Sequence, residues 1–297
     1  MRQTLRIALN EWADALRSRR ALAVLLLYVA VAALTMNGLL SIIVRLEKDL
    51  SGLLGLSADP APGAVVDALW NSARFRGIVA GAMGSEEIAR ELVGVSPVAL
   101  AFAGLAFFYT PLLVALLAPA RIAEELASGS VRYVAVRASR LAWTLGKLLG
   151  QALLVGAGLG VSALAAWAVA TYRLPAANTA VAGAGIFAWT LRVWVYAFAF
   201  LGLTLGVGLL TRSPGKALAF SVLALVAVAV IAALGRHYTA PWFRGIGPAL
   251  RAITPLEWRG GLWRRSAAHL APSAAALLSL GLCYLLAAYA AFRRRDL

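Results

Sequence analysis

The stretch ALAVLLLYVAVAALTMNGLLSIIV, residues 21–44, runs for 24 residues without a charged side chain. A helix rises roughly 1.5 Å per residue, so such a run crosses the ~30 Å of bilayer hydrocarbon with its backbone amides bonded within the helix. Five further stretches have the same character: 98–120, 148–171, 186–211, 217–235 and 271–292. Only 186–211 contains a charge, Arg192, close enough to its start for the side chain to snorkel to the interface. Overall the chain is 62% hydrophobic and 14% charged, with a mean hydropathy of +0.81, whereas soluble chains are about 45–50% apolar and about 25% charged. The excess lies in long runs rather than amphipathic faces. This excludes a water-soluble globular fold and predicts an all-α integral membrane protein of six transmembrane helices in one membrane domain, residues 1–297.

Upstream of the first run, Leu5, Ala8, Leu9, Trp12, Ala15 and Leu16 fall on one helical stripe, with Arg2, Arg6, Asn10, Asp14 and Arg17 opposite. Residues 1–20 therefore read as an interfacial amphipathic helix, serving either to anchor the first span or to transmit motion. Glu11 and Asp14 among its arginines, followed by a long apolar run, argue against a cleavable signal peptide.

The net charge of +15 would suggest nucleic acid in a soluble domain. Here the basic residues flank the apolar runs, so membrane lipid phosphates are the expected counterions and no nucleic-acid partner is predicted. With six spans, both termini share a side with segments 121–147 and 212–216, and that side holds 15 of the 28 Lys and Arg in 57 residues. The remaining 13, counting Arg192 of the fourth span, lie toward the opposite side in about twice that length, so the positive-inside rule places both termini in the cytoplasm. Cys283 is the only cysteine, which excludes an intramolecular disulfide and a Cys-based metal site. His237 and His269 alone do not make a metal centre, and no HExxH or nucleophile–base arrangement is present.

Two long segments fall on the extracytoplasmic side. Residues 45–97 pass through a turn at Pro60 to Gly63, then show one short helical pattern with Val65, Val66, Leu69 and Trp70 and another with Glu86, Glu87 and Glu91 on one face. Residues 236–270 carry Arg236, Arg244, Arg251, Arg259, Arg264 and Arg265, with Trp242, Trp258 and Trp263. This second segment reads either as a pair of short interfacial helices with aromatic anchors and snorkelling arginines, or as an electropositive vestibule for an anionic or lipid substrate.

Within the spans, Pro111 is expected to kink the second, with Thr110 helping to satisfy the freed backbone carbonyl. The small-residue pairs Gly156/Gly160 and Gly202/Gly206 offer surfaces for close helix contact, within the chain or at a dimer seam.

The connection after the second span, RIAEELASGSVRYVAVRASRLAWTLGK from Arg121 to Lys147, is no simple spacer. Glu124 and Glu125 precede the turn signal Ser128-Gly129-Ser130, and Arg132, Arg137, Arg140 and Lys147 follow it. A helix, a turn and a second helix, continuous with two spans, form a handle that a soluble partner could grip to move them.

These residues resemble the permease subunits of ATP-binding-cassette (ABC) transporters of the ABC-2 type. There the connection typically reads as an acidic residue, three residues, Gly-Thr and an apolar residue, and later Pro-x-Ser-Arg and Gly-Lys. Glu125, Gly129, Ser130, Val131, Ser139, Arg140, Gly146 and Lys147 occupy those places, with Ser130 for Thr, Val131 for Leu and Ala138 near the position of the proline. NEWADALRSRRALAV resembles the family's leading helix and FRRRDL, residues 292–297, its C-terminal end. SPVALAFAGLAFFYTPLLVALL resembles a subgroup that includes the permease for nitrous oxide reductase maturation.

The resemblance implies an ABC-2 exporter fold in a bacterial-type cytoplasmic (inner) membrane. It further implies a translocation path shared with a second permease copy or a paralogue, and coupling to the ATPase through Glu124, Glu125, Gly129, Ser130, Arg132, Arg140 and Lys147. The chain carries no ATPase motif of its own: Gly146-Lys147 and Gly215-Lys216 lack both the earlier glycine and the following Ser or Thr of a phosphate loop. No cofactor is expected on this chain, ATP and Mg being expected on a separate nucleotide-binding subunit. A secondary transporter or a membrane scaffold is the alternative, although the spans lack the midplane ionisable residues that proton or ion coupling normally uses.

Overall fold

The computed structural model describes residues 2–53, 77, 81, 86–92, 95–131, 133, 138–175, 177–237 and 246–294. Arg132, Arg137, the Pro60–Gly63 turn, the Val65–Trp70 pattern, Trp242, Arg244 and the last three residues lie outside the described residues. The described helices are α1 (Arg2–Arg17), α2 (Arg19–Leu53), α3 (Glu86–Leu92), α4 (Pro97–Ala127), α5 (Arg140–Arg173), α6 (Thr179–Leu210), α7 (Pro214–His237), α8 (Ile246–Ala252), α9 (Pro255–Leu262) and α10 (Ala267–Phe292). Among the described residues there is no strand. Six helices, α2, α4, α5, α6, α7 and α10, are long and apolar enough to cross a bilayer. The protein is an all-α integral membrane protein. One face of the bundle carries α1 and the C-terminal end of α10; it is called here the terminal face.

Helix length explains how the terminal face is built. The 31 residues of α4 and 34 of α5 exceed what the bilayer requires, reaching roughly 46 and 51 Å at the helical rise. Both continue past the hydrocarbon without a break. The connection expected over 121–147 is therefore helical at both ends, α4 running to Ala127 and α5 starting at Arg140.

The core is organised around α6, which packs against α4, α10 and α5. Phe107 of α4 lies between Tyr196 and Trp189 of α6 and Trp263, with ring centroids 5.2, 6.4 and 5.1 Å away. Gly202 and Gly206 bring α10 close: a Cβ on Gly202 would overlap the Gly281 carbonyl, and one on Gly206 would meet the Ala288 Cβ at 3.1 Å. Gly156 seats the indole of Trp194, whose Nε1 donates to the Ala152 carbonyl at 2.7 Å. Gly160 makes no such contact within the chain: a Cβ there meets nothing within 4 Å. Thr110 departs from the role expected of it. Its hydroxyl pairs with the Tyr28 hydroxyl of α2 at 3.3 Å, so it bridges two spans rather than mending the backbone beside Pro111.

Residues 246–266, which precede α10, do not lie flat on the surface. Tyr284, about 25 Å along α10 from Ala267 at the helical rise, donates its hydroxyl to the Ile253 carbonyl between α8 and α9. The α8–α9 hairpin thus descends beside α10 and returns, and Trp263 at its end is buried against Phe107 and Trp189 rather than anchored at the interface. Trp258 also turns inward, donating its indole N–H to the Ala252 carbonyl at 2.8 Å. Two of the arginines here share a protein partner: Arg236 and Arg251 approach Glu257 at 3.6 and 3.8 Å.

Candidate functional site

The turn at the end of α4 is built by three small residues. Gly129 adopts φ +71°, a left-handed conformation that side chains with a Cβ rarely take. Ser128 and Ser130 flank it, and each hydroxyl donates to the Glu125 carbonyl at 3.2 Å, satisfying a backbone acceptor that the ended helix leaves open. Across the gap, Ser139 caps α5, its hydroxyl accepting the Ala142 amide at 3.1 Å. Arg140 donates to the Arg293 carbonyl at 3.2 Å and so ties α5 to the end of α10.

Beneath the turn lies a buried ionic cluster. The Glu125 carboxylate accepts the Trp143 indole N–H at 3.1 Å and pairs with the Lys147 ammonium. The same ammonium pairs with Glu11, which comes from α1. Glu11 also accepts from Gln151 Nε2 at 2.8 Å and from Arg121 Nε at 3.4 Å. One lysine on α5 thereby joins carboxylates on α1 and α4. The Glu11 side chain is only 2% exposed and that of Lys147 5%, whereas Glu125 keeps 29%. Burial by itself raises the Glu11 carboxyl, but Lys147 foremost, with Arg121 and Gln151, outweighs it and holds the group below the ordinary carboxylate value.

Close approach of α1 depends on two glycines of α5. A Cβ on Gly146 would stand 2.6 Å from the Ile7 side chain, and one on Gly150 would stand 2.7 Å from the Glu11 Cβ and 2.9 Å from the Ala8 carbonyl. Ala8, Glu11 and Ala15 are the buried face of α1, while Leu5, Leu9, Trp12 and Leu16 remain exposed. The single apolar stripe read from sequence is thus divided: its alanines face α5 and its large residues face outward. A cavity of about 290 Å³ opens beside the cluster, lined by Asn10, Asp14, Ser130 and Trp143 as well as the three charged partners.

Of the residues predicted to form a coupling site, Glu125, Ser130 and Lys147 converge here. Gly129 shapes the turn, Arg140 sits at its far edge, and Glu124 pairs separately with Arg20 of α2 at 3.3 Å, both side chains about half exposed. Arg132 lies outside the described residues. Sequence reasoning missed Glu11, Arg121, Trp143 and Gln151 as members. A signal existed for Glu11: it is flanked at helical spacing by Ala8 and Ala15, and Gly146-x-x-x-Gly150 offers a facing groove.

Comparison with known proteins bears on this arrangement. The sequence model described as ABC-2 family transporter protein matches residues 5–297. The chain belongs to the ABC-2 transporter family. No curated protein matches it. Membership makes the chain the membrane permease component of an ABC transporter rather than its ATPase, and the match spans both α1 and the connection that Lys147 joins to it.

The opposite face of this ABC-2 protein holds a second ionic cluster. Arg264 pairs with Glu87 at 2.7 Å and Glu91 at 3.1 Å, both on α3, and the Arg265 amide donates to Glu91 at 2.6 Å. That amide first, then the Arg264 guanidinium, keeps the Glu91 carboxyl below its ordinary value. Arg192 does not snorkel to lipid. Its guanidinium stacks over Trp189 at 4.5 Å and donates to the carbonyls of Leu262 at 2.9 Å and Arg264 at 3.2 Å, closing the end of α9.

Proposed function

We propose that this chain is the permease of an ABC exporter in a bacterial-type cytoplasmic membrane, its terminal face cytoplasmic and its ATPase a separate subunit carrying ATP and Mg. A second copy or a paralogue completes the translocation path. The ATPase grips the turn region between α4 and α5, and its closure moves both helices as levers. One observation carries this reading. α4 and α5 run unbroken from the spans into that region, and Glu125 and Lys147 tie their ends together, so displacement of the turn reaches the spans without a flexible joint. The positive charge on the terminal face supports the orientation.

The test is purification of the tagged chain from its native membrane. The expected companion is an ATPase subunit with a GxxxxGK[ST] loop in stoichiometric amount, retained less well by Glu125→Lys and Arg140→Glu. Recovery of the intact chain without any such subunit rejects the reading. So does full retention and full ATP-driven transport by both variants.

A further inference from the structure

We infer that α1 is a driven part of the coupling machinery, and that Glu11 is the positioning residue through which the α4–α5 levers move it. The inference rests on the proposed role of those levers and extends it to a third element.

Among the described residues, Lys147 is the cation in contact with both Glu11 and Glu125, so displacement of the lever ends strains two ion pairs on two different helices. Glu11 has little freedom to yield by itself. It is almost fully buried, it is held as well by Gln151 and Arg121, and Gly146 and Gly150 press α5 against the backbone of α1. Moving α1 with the levers costs less than leaving a buried carboxylate without its ammonium.

The far side of α1 gives that movement a target. Leu5, Leu9, Trp12 and Leu16 are exposed along one edge, the apolar face of an interfacial helix. Only Ser18 separates α1 from α2, and its amide still bonds to the Asp14 carbonyl at 3.0 Å. A shift of α1 therefore acts on the first span directly and drags an apolar edge through the lipid interface beside it.

The experiment uses the full complex with its ATPase subunit in lipid nanodiscs, with Cys283→Ser so that added cysteines carry the only labels. A nitroxide at Leu9→Cys reports the membrane depth of α1, and one at Tyr133→Cys reports the turn region. Both are read with and without ATP and vanadate. In the parent protein both labels are expected to respond. Glu11→Gln is expected to abolish the Leu9 response while the Tyr133 response persists, whereas the conservative Glu11→Asp, which keeps the charge facing Lys147, is expected to retain it. A Leu9 label that stays still in the parent while Tyr133 responds overturns this inference alone, as does a Leu9 response undiminished by Glu11→Gln. A Tyr133 label that stays silent overturns the lever reading beneath it. Loss of the Leu9 response in Glu11→Asp as well, in a complex that still assembles, reduces Glu11 to a packing role and overturns the inference.

Discussion

Removing the ammonium from the cluster tests its physical basis most directly. Lys147→Met keeps the length and apolar stem of the side chain but leaves Glu11 buried with only Arg121 at 3.4 Å and Gln151 at 2.8 Å. Deleting one partner of a buried pair costs about 3–5 kcal/mol, whereas a solvent-exposed pair contributes at most about 1 kcal/mol. Glu125 is partly exposed and keeps its bond from Trp143, so it contributes to the lower range only. Because Arg121 and Gln151 remain, the expected loss is about 3 kcal/mol, roughly a hundredfold in the folding equilibrium. The double variant Glu11→Gln with Lys147→Met removes both deeply buried charges and leaves only Arg121 and Glu125, each partly exposed to water, without that partner, so it is expected to recover most of that loss. Equilibrium unfolding in mixed micelles, followed by far-UV circular dichroism for the single and double variants, measures the cycle. A single variant costing under about 1 kcal/mol, or a double variant no better than the sum of its parts, refutes the claim that a buried ion pair holds α1 to the levers.

Three further outcomes are expected. Since Glu11 titrates below the ordinary carboxylate value in the folded protein, the stability difference between the parent and Glu11→Gln should be fully present above about pH 4.5 and disappear as pH falls below that value, as read by unfolding across an acid series. Gly202→Ala must push α6 away from the Gly281 carbonyl and should cost about 1–3 kcal/mol in the same unfolding assay, whereas Gly160→Ala, which meets nothing, should be close to neutral. Arg192→Leu strands the Leu262 and Arg264 carbonyls and should cost about 1–3 kcal/mol, with faster proteolysis between α9 and α10 as its local signature.

The six spans were legible in the chain because crossing hydrocarbon is a one-dimensional requirement: about 20 apolar residues in a row, each satisfying its own backbone. The turn at Ser128-Gly129-Ser130 was legible for a similar local reason, since a left-handed residue and two short hydroxyls announce a helix end wherever they occur. Motifs that look alike in sequence separated only in three dimensions. Gly156-x-x-x-Gly160 and Gly202-x-x-x-Gly206 are indistinguishable as strings, yet a Cβ on Gly202 strikes a neighbouring backbone while one on Gly160 strikes nothing. The same holds for Trp263, which reads as an interfacial anchor in sequence but lies in the core once α9 is packed.

Glu11 marks the division most sharply. Composition and periodicity established a membrane-embedded helical bundle with an amphipathic leading helix and a charged handle after the second span, because each of those properties belongs to a contiguous stretch. That Glu11 of this leading helix shares a lysine with Glu125 of the handle depends on the register of three helices, the first of which brings Glu11 from 110 and 136 positions away from Arg121 and Lys147. Ion pairing in a buried site is decided by distances of a few ångströms across packed faces, and only the folded bundle sets those distances.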